Sequence, residues 1–234
     1  MSKASKIIIS VLLVIAIAAG GGLTYLYLVG YSGIDHHKKA SEGQIKVACI
    51  GDSNTYGHGI TPWFLYNYPK VLGDLLGDGY VVNNYGHHGA TCQSTGDQPY
   101  ISYNDYKNSI SFEADILIFM LGSNDAKTEN WLGEEAFRAE YLARLEEYRA
   151  SNPEMIIYLC TPTTSYRKNS ENPARVEIIA DIVRDIAAEE GLSLIDVNDF
   201  TENREDLYIE DGAHLSKEGA AELARLIFSA ICDE

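Results

Sequence analysis

One stretch of this sequence leaves few choices of fold. Residues 115–121 read Asp-Ile-Leu-Ile-Phe-Met-Leu, and nothing after the aspartate is polar. A strand with one wet face alternates apolar and polar residues, so an unbroken apolar run belongs to a strand covered on both faces. Its neighbours fit that setting. Short strand-like runs at 45–50, 80–84, 155–160 and 192–197 alternate with helix-like segments. A first helix is expected over 62–76, ending near Gly77. A second is expected over 134–150, with Phe137, Tyr141, Leu142, Leu145 and Tyr148 along one stripe. Pro173 opens a third where its missing N–H costs nothing, and Gly191 closes it. Ser216 caps a last helix running to about 231. Strands alternating with helices predict an α/β fold, a parallel sheet with helices on both faces. Functional residues in such sheets gather at the carboxyl ends of the strands, here the loops after Ile50, Asn84 and Leu121.

The amino terminus has a different character. Lys3 and Lys6 precede a stretch, 7–30, that carries no charge. Its length matches the roughly 20 apolar residues of a bilayer-spanning helix. Residues 1–30 therefore read as a membrane anchor, with Tyr25 and Tyr27 near the far interface. The alternative is a cleaved secretory signal using the Ala16-Ile17-Ala18 or Ala18-Ala19-Gly20 triplet. Both readings put the rest of the chain outside the cytoplasm, with 31–44 as a polar linker and 45–234 as one catalytic domain.

Composition narrows the partners. The net charge is −16, and residues beyond 39 contain 14 basic and 33 acidic side chains, a balance of −19. A surface this negative repels nucleic acid and anionic polymers and favours neutral substrates. Cys49, Cys92, Cys160 and Cys232 show no CxxC or Cys/His spacing, which argues against zinc. Cys49 and Cys160 lie in apolar runs and read as small buried hydrophobes. An even count leaves disulfides open.

Four short motifs sit at element boundaries. Gly51-Asp52-Ser53-Asn54-Thr55 follows the first strand, where a serine Oγ meets the sheet edge and a helix start that favours negative charge. Asn84-Tyr85-Gly86-His87-His88-Gly89-Ala90-Thr91 follows the second, and a glycine there lets a backbone N–H approach a bound group as an oxyanion donor. Adjacent His87 and His88 read as loop surface without a role. Gly122-Ser123-Asn124-Asp125 follows the most apolar strand, where the Asn124 amide can donate to a developing oxyanion and Asp125 can anchor the loop through backbone N–H groups. In Asp211-Gly212-Ala213-His214 the spacing lets the aspartate reach the imidazole Nδ1–H and leave Nε2 to take a proton. Each motif read alone is also an ordinary turn sequence. A metal pair at Asp211 and His214 has no third ligand at suitable spacing.

Taken in order, the four motifs resemble the sequence blocks of the SGNH (GDSL) hydrolases, over essentially all of 46–231. That resemblance implies a three-layer α/β/α, flavodoxin-like fold with a five-stranded parallel sheet. It implies Ser53 as nucleophile, His214 as base and Asp211 as its orienter. It further implies Ser53, Gly89 and Asn124 as oxyanion-hole donors, with no cofactor and no metal. Gly122-Ser123-Asn124-Asp125 followed by Asn130-Trp131 also resembles extracellular carbohydrate O-acetylesterases of this family. The expected reaction is thus hydrolysis of a short acetyl ester, on a small molecule or a glycan. Longer-chain lipase, arylesterase or thioesterase action and cell-envelope O-acyl transfer are the alternatives. Tyr100, Tyr103 and Tyr106, in a loop expected over 92–112, and Trp131 read either as loop packing or as a sugar-stacking platform; Trp131 and Tyr100 are the substrate contacts this second reading selects.

Overall fold

The computed structural model describes residues 3–28, 37–168 and 172–232. Five strands form one parallel sheet: β1 Ile45–Gly51, β2 Tyr80–Gly86, β3 Ile116–Met120, β4 Ile156–Cys160 and β5 Ser193–Ile195. Their spatial order is β2-β1-β3-β4-β5, with every pairing parallel. The chain runs outward from β1 to β2 and then returns to the other side of β1 for β3. The loops leaving β1 and β3 therefore diverge, and a crevice opens where the strand order reverses.

The helices are α1 Lys3–Leu28, α2 Ser53–Tyr56, α3 Trp63–Tyr66, α4 Tyr68–Leu76, α5 Asn104–Ser111, α6 Glu134–Ser151, α7 Asn172–Glu190, α8 Val197–Thr201 and α9 Lys217–Cys232. The two faces of β3 explain its lack of polar residues. Leu117 and Phe119 point into a core with Tyr141, Tyr148, Ile179 and Val183 from α6 and α7. Ile116, Ile118 and Met120 point into a second core with Leu72 of α4 and Leu223 and Ile227 of α9. Every β3 residue is at most 6% exposed, and burying such a side chain stabilises by roughly 1.5–3 kcal/mol. The three-layer α/β/α architecture is the expected one.

Several boundaries differ from expectation. The helix expected over 62–76 is two helices, broken at Asn67, whose backbone is extended and whose side chain accepts from the Lys70 N–H. Pro69 supplies the reason: it has no N–H for the Leu65 carbonyl, and its ring clashes with that carbonyl in a continuous helix. The expected loop 92–112 contains α5 and a 3-10 turn, Tyr100–Ser102. β5 stops at Ile195 because Asp196 caps α8, accepting from the Asp199 N–H. The expected Ser216 cap is present, with its hydroxyl accepting from the Gly219 N–H at 3.1 Å.

Of the segment expected as a linker, 31–36 lies outside the described residues, whereas His37 and Lys38 already pack on β2. Lys38 exchanges two hydrogen bonds with the Asn83 side chain, at 2.8 and 2.9 Å, and the His37 ring lies 4.0 Å from that of Tyr85. Of the anchor or signal segment 1–30, residues 1, 2, 29 and 30 lie outside the described ones. α1 exposes Val11, Leu12, Leu13, Val14, Ile15 and Ile17, and among the described residues no helix is long and apolar enough to cross a membrane. All four cysteines are free thiols, three buried and Cys232 exposed.

Candidate active site

The site is built on the first strand end. Ser53 opens α2, and Asp52 caps it by accepting from the Asn54 N–H at 2.9 Å. Gly51 is required by close approach. A Cβ there would lie 2.1 Å from the Thr55 hydroxyl and 2.6 Å from the Met120 carbonyl, so any side chain would push α2 off the sheet.

His214 arrives from 161 residues further along the chain. Its Nε2 lies 3.0 Å from Ser53 Oγ, and its Nδ1 contacts the Asp211 carboxylate. An ionised carboxylate only accepts, so Nδ1 carries the proton and Nε2 is the acceptor for the serine hydroxyl. Burial alone opposes ionisation of Asp211. The backbone N–H groups of Ala213 and His214 and the His214 imidazole outweigh it and hold the carboxyl below its ordinary value. Ser53 and His214 are 6% and 8% exposed, so this chain of contacts is shielded without being sealed.

Asn54, which the motif reading left without a role, joins the two halves. Its Nδ2 donates to the Ala213 carbonyl at 3.1 Å and to Thr163 Oγ1 at 3.2 Å, and its Oδ1 accepts from the Leu215 N–H at 2.9 Å. The residue after Ser53 thereby grips the backbone on both sides of His214. Its neighbour in the Gly51–Thr55 motif was a signal, but the partners lie too far along the chain for spacing to reveal.

The loop after β3 brings Asn124 to the same cleft, which Ser53, Asn124 and His214 line together with Thr163, Ser165 and Arg167. Asn124 Nδ2 donates to the Ala90 carbonyl at 3.1 Å. Asp125 anchors this loop as expected, accepting from the Cys92 and Gln93 N–H groups at 2.9 and 2.8 Å. Burial raises its carboxyl to about 6, against the lowering effect of those N–H groups. Gly89 stands in the adjoining loop, with φ of 79° and the Gln98 side chain 2.4 Å from where a Cβ would sit. The positive φ calls for glycine, whereas the Gln98 amide is the far end of a flexible side chain that yields at little cost.

The aromatic platform is not assembled. Tyr100 is buried at 1% exposure, and its hydroxyl donates to the Tyr85 carbonyl at 2.6 Å. Tyr106 donates to Glu147, and Trp131 packs on the α6–α7 core beside Phe137. Neither Tyr100 nor Trp131 lines the cleft around Ser53. Tyr100 is fully buried, as the packing alternative has it, and Trp131 is partly buried against the core. The two histidines also part company. His87 bonds Asp105 at 2.7 Å and stacks on Tyr103, whereas His88 lies beside His58 and 6.1 Å from the ring of His214.

Residues 49–222 match the family described as GDSL-like lipase/acylhydrolase. An acetylxylan esterase of Xylanibacter ruminicola is 33% identical over 213 residues, which cover 81% of this chain and 44% of that protein. The chain thus spans less than half the length of this curated relative. Among solved structures, a lipase/acylhydrolase from Enterococcus faecalis superposes with a TM-score of 0.67 at 21% identity, covering 80% of this chain and 95% of that one. A carbohydrate acetylesterase from Sinorhizobium meliloti gives 0.67 at 17% identity, covering 81% and 99%. These two likenesses speak to the fold.

Proposed function

Because the chain belongs to the GDSL-like lipase/acylhydrolase family, we propose that it is a serine esterase that removes short acyl groups, acetate first among them, from a carbohydrate. The observation that carries this reading is the 3.0 Å contact between Ser53 Oγ and His214 Nε2, with Asp211 on the far ring nitrogen. His214 takes the Ser53 proton as Oγ attacks the ester carbonyl, and a tetrahedral oxyanion forms. The Ser53 and Gly89 N–H groups and the Asn124 amide receive that charge. His214 then protonates the leaving alcohol, and water attacks the acyl-enzyme by the same proton path. No metal enters these steps.

The cleft favours a short acyl group. Its described lining is mainly hydroxyl, amide and cationic, with Val176 and Ala213 as its apolar side chains. A long acyl chain needs an apolar wall, and leaving polar groups unpaired against it costs about 1–3 kcal/mol each. The acetylxylan esterase relative supports acetate on a polysaccharide. The test is covalent: a fluorophosphonate probe should label wild-type Ser53, as read by peptide mass, and should label neither Ser53→Ala nor His214→Ala. Labelling elsewhere in the cleft would remove Ser53 from the nucleophile role.

Residues 1–30 are proposed to tie the domain to the outer face of a membrane. The uncharged run over 7–30 and the exposed apolar side chains of α1 support this. Release of the full chain from membranes by alkaline carbonate would contradict it.

A further inference from the structure

Three imidazoles converge at the catalytic cleft, and the proposed reaction uses one of them. His58 follows the end of α2, where its backbone N–H donates to the Ser53 carbonyl at 2.9 Å. Its ring lies 4.3 Å from that of His88 and 4.5 Å from that of His214. One ligand nitrogen from each of the three falls within 4.8 Å of the other two. They come from three separate loops, at the ends of α2 and β2 and ahead of α9, so no spacing in the sequence announces them.

We infer that His58, His88 and His214 form a site for a divalent transition-metal ion of the zinc class, and that an ion held there silences the enzyme. Imidazole suits zinc, nickel and copper, and three histidines make a sufficient protein donor set for a zinc ion that keeps a fourth position open. The Nδ1 of His214 already sits on a carboxylate, the outer contact that orients metal-binding histidines. Zinc at about 2.0–2.1 Å from each nitrogen would space the nitrogens about 3.4 Å apart in a tetrahedral arrangement. The ligand nitrogens already lie within 4.8 Å of one another, so binding an ion would draw them closer together. Burial, reinforced by His58 and His214, holds His88 down to about 4, and burial with His214 lowers His58 as well. The consequence for catalysis follows from one atom. The Nε2 pair that would bind the ion is the pair that accepts the Ser53 proton, so metal binding and nucleophile activation exclude each other.

The inhibition arm of this inference rests on the proposed esterase reaction; the binding arm does not. The full chain carrying Cys232→Ser, which removes the exposed thiol as a rival ligand, is titrated with zinc chloride by calorimetry, and nitrophenyl acetate hydrolysis is followed over the same zinc range. One ion per chain is expected, with inhibition reversed by a chelator. His58→Gln and His88→Gln should each weaken binding and raise the half-inhibiting zinc concentration about tenfold or more. Their zinc-free turnover should stay within about threefold of the parent, and circular dichroism checks the fold. Zinc binding of equal strength in parent and variants would overturn the site, and hydrolysis untouched by bound zinc would overturn the switch. A chain that binds zinc through His58 and His88 but cleaves no ester would instead sink the esterase reading.

Discussion

Two aspartates in this molecule do the same local thing to opposite effect. Asp125, after β3, and Asp211, before α9, each accept two backbone N–H groups. Asp125 is fully buried, and burial lifts its carboxyl to about 6. Asp211 keeps 39% of its side chain in solvent and adds the His214 imidazole as a partner, and its carboxyl falls below the ordinary value. Backbone donors alone therefore do not fix the charge of a carboxylate; burial and an ionisable partner decide it. Asp125 holds two loops together, whereas Asp211 stays ionised against the His214 ring, as its proposed role of orienting a base requires.

Substitutions break this pair apart in different observables. The largest expected effect is Asp211→Asn, which should lower kcat on a short nitrophenyl ester on the order of 10³–10⁴-fold while barely moving Tm. A loss below tenfold would make His214 independent of Asp211. Asn124→Ala should lower kcat by about 10²–10³-fold with little change in KM, and unchanged turnover would take Asn124 out of the mechanism. Asp125→Ala should act on stability instead, by about 2–4 kcal/mol in urea unfolding, because two buried N–H groups lose their acceptors. Asn54→Ala should lower kcat about tenfold, near 1.4 kcal/mol, and leave KM alone, since it frees the backbone around His214 without touching the cleft's far wall. A KM effect with constant kcat would assign Asn54 to substrate binding.

The smallest effect is one of pH, and the two aspartates should give it opposite signs. The folded value of Asp125, about 6, exceeds the ordinary value of 3.8. Its contribution favours the fold most below about pH 4 and declines as pH rises through 6. Asp211, lowered in the fold, contributes above about pH 4 and loses that contribution as pH falls through its folded value. Melting temperatures should show Asp125→Asn gaining on wild type between pH 4 and 7. Asp211→Asn should gain on wild type only below pH 4. Parallel curves would erase the distinction between the two sites.

Much of this was legible in the sequence, for local reasons. The apolar run 115–121 demanded a doubly covered strand, and the four motifs stood at strand ends because tight turns there need Gly, Asp, Ser and Asn in short spans. Asp211 and His214 are near neighbours in the chain, so their contact needed only a turn. What escaped depends on distant residues. Tyr100 has the composition of a sugar platform, yet the Tyr85 carbonyl claims its hydroxyl. Asn54 meets Ala213 and Leu215 only after β1 and α9 are in place. The convergence of His58 and His88 on His214 likewise exists only in the folded sheet. The break at Asn67 is a different case: Pro69 was visible, and the apolar spacing across it masked its effect.

The most direct test of the central claim is hydrolysis of acetyl, butyryl and octanoyl nitrophenyl esters by the full chain beside Ser53→Ala. The account predicts fastest cleavage of the acetyl ester, falling with acyl length and abolished by the substitution. Rates that rise with acyl length would contradict the short-acyl cleft, and activity that survives Ser53→Ala would contradict the serine mechanism itself.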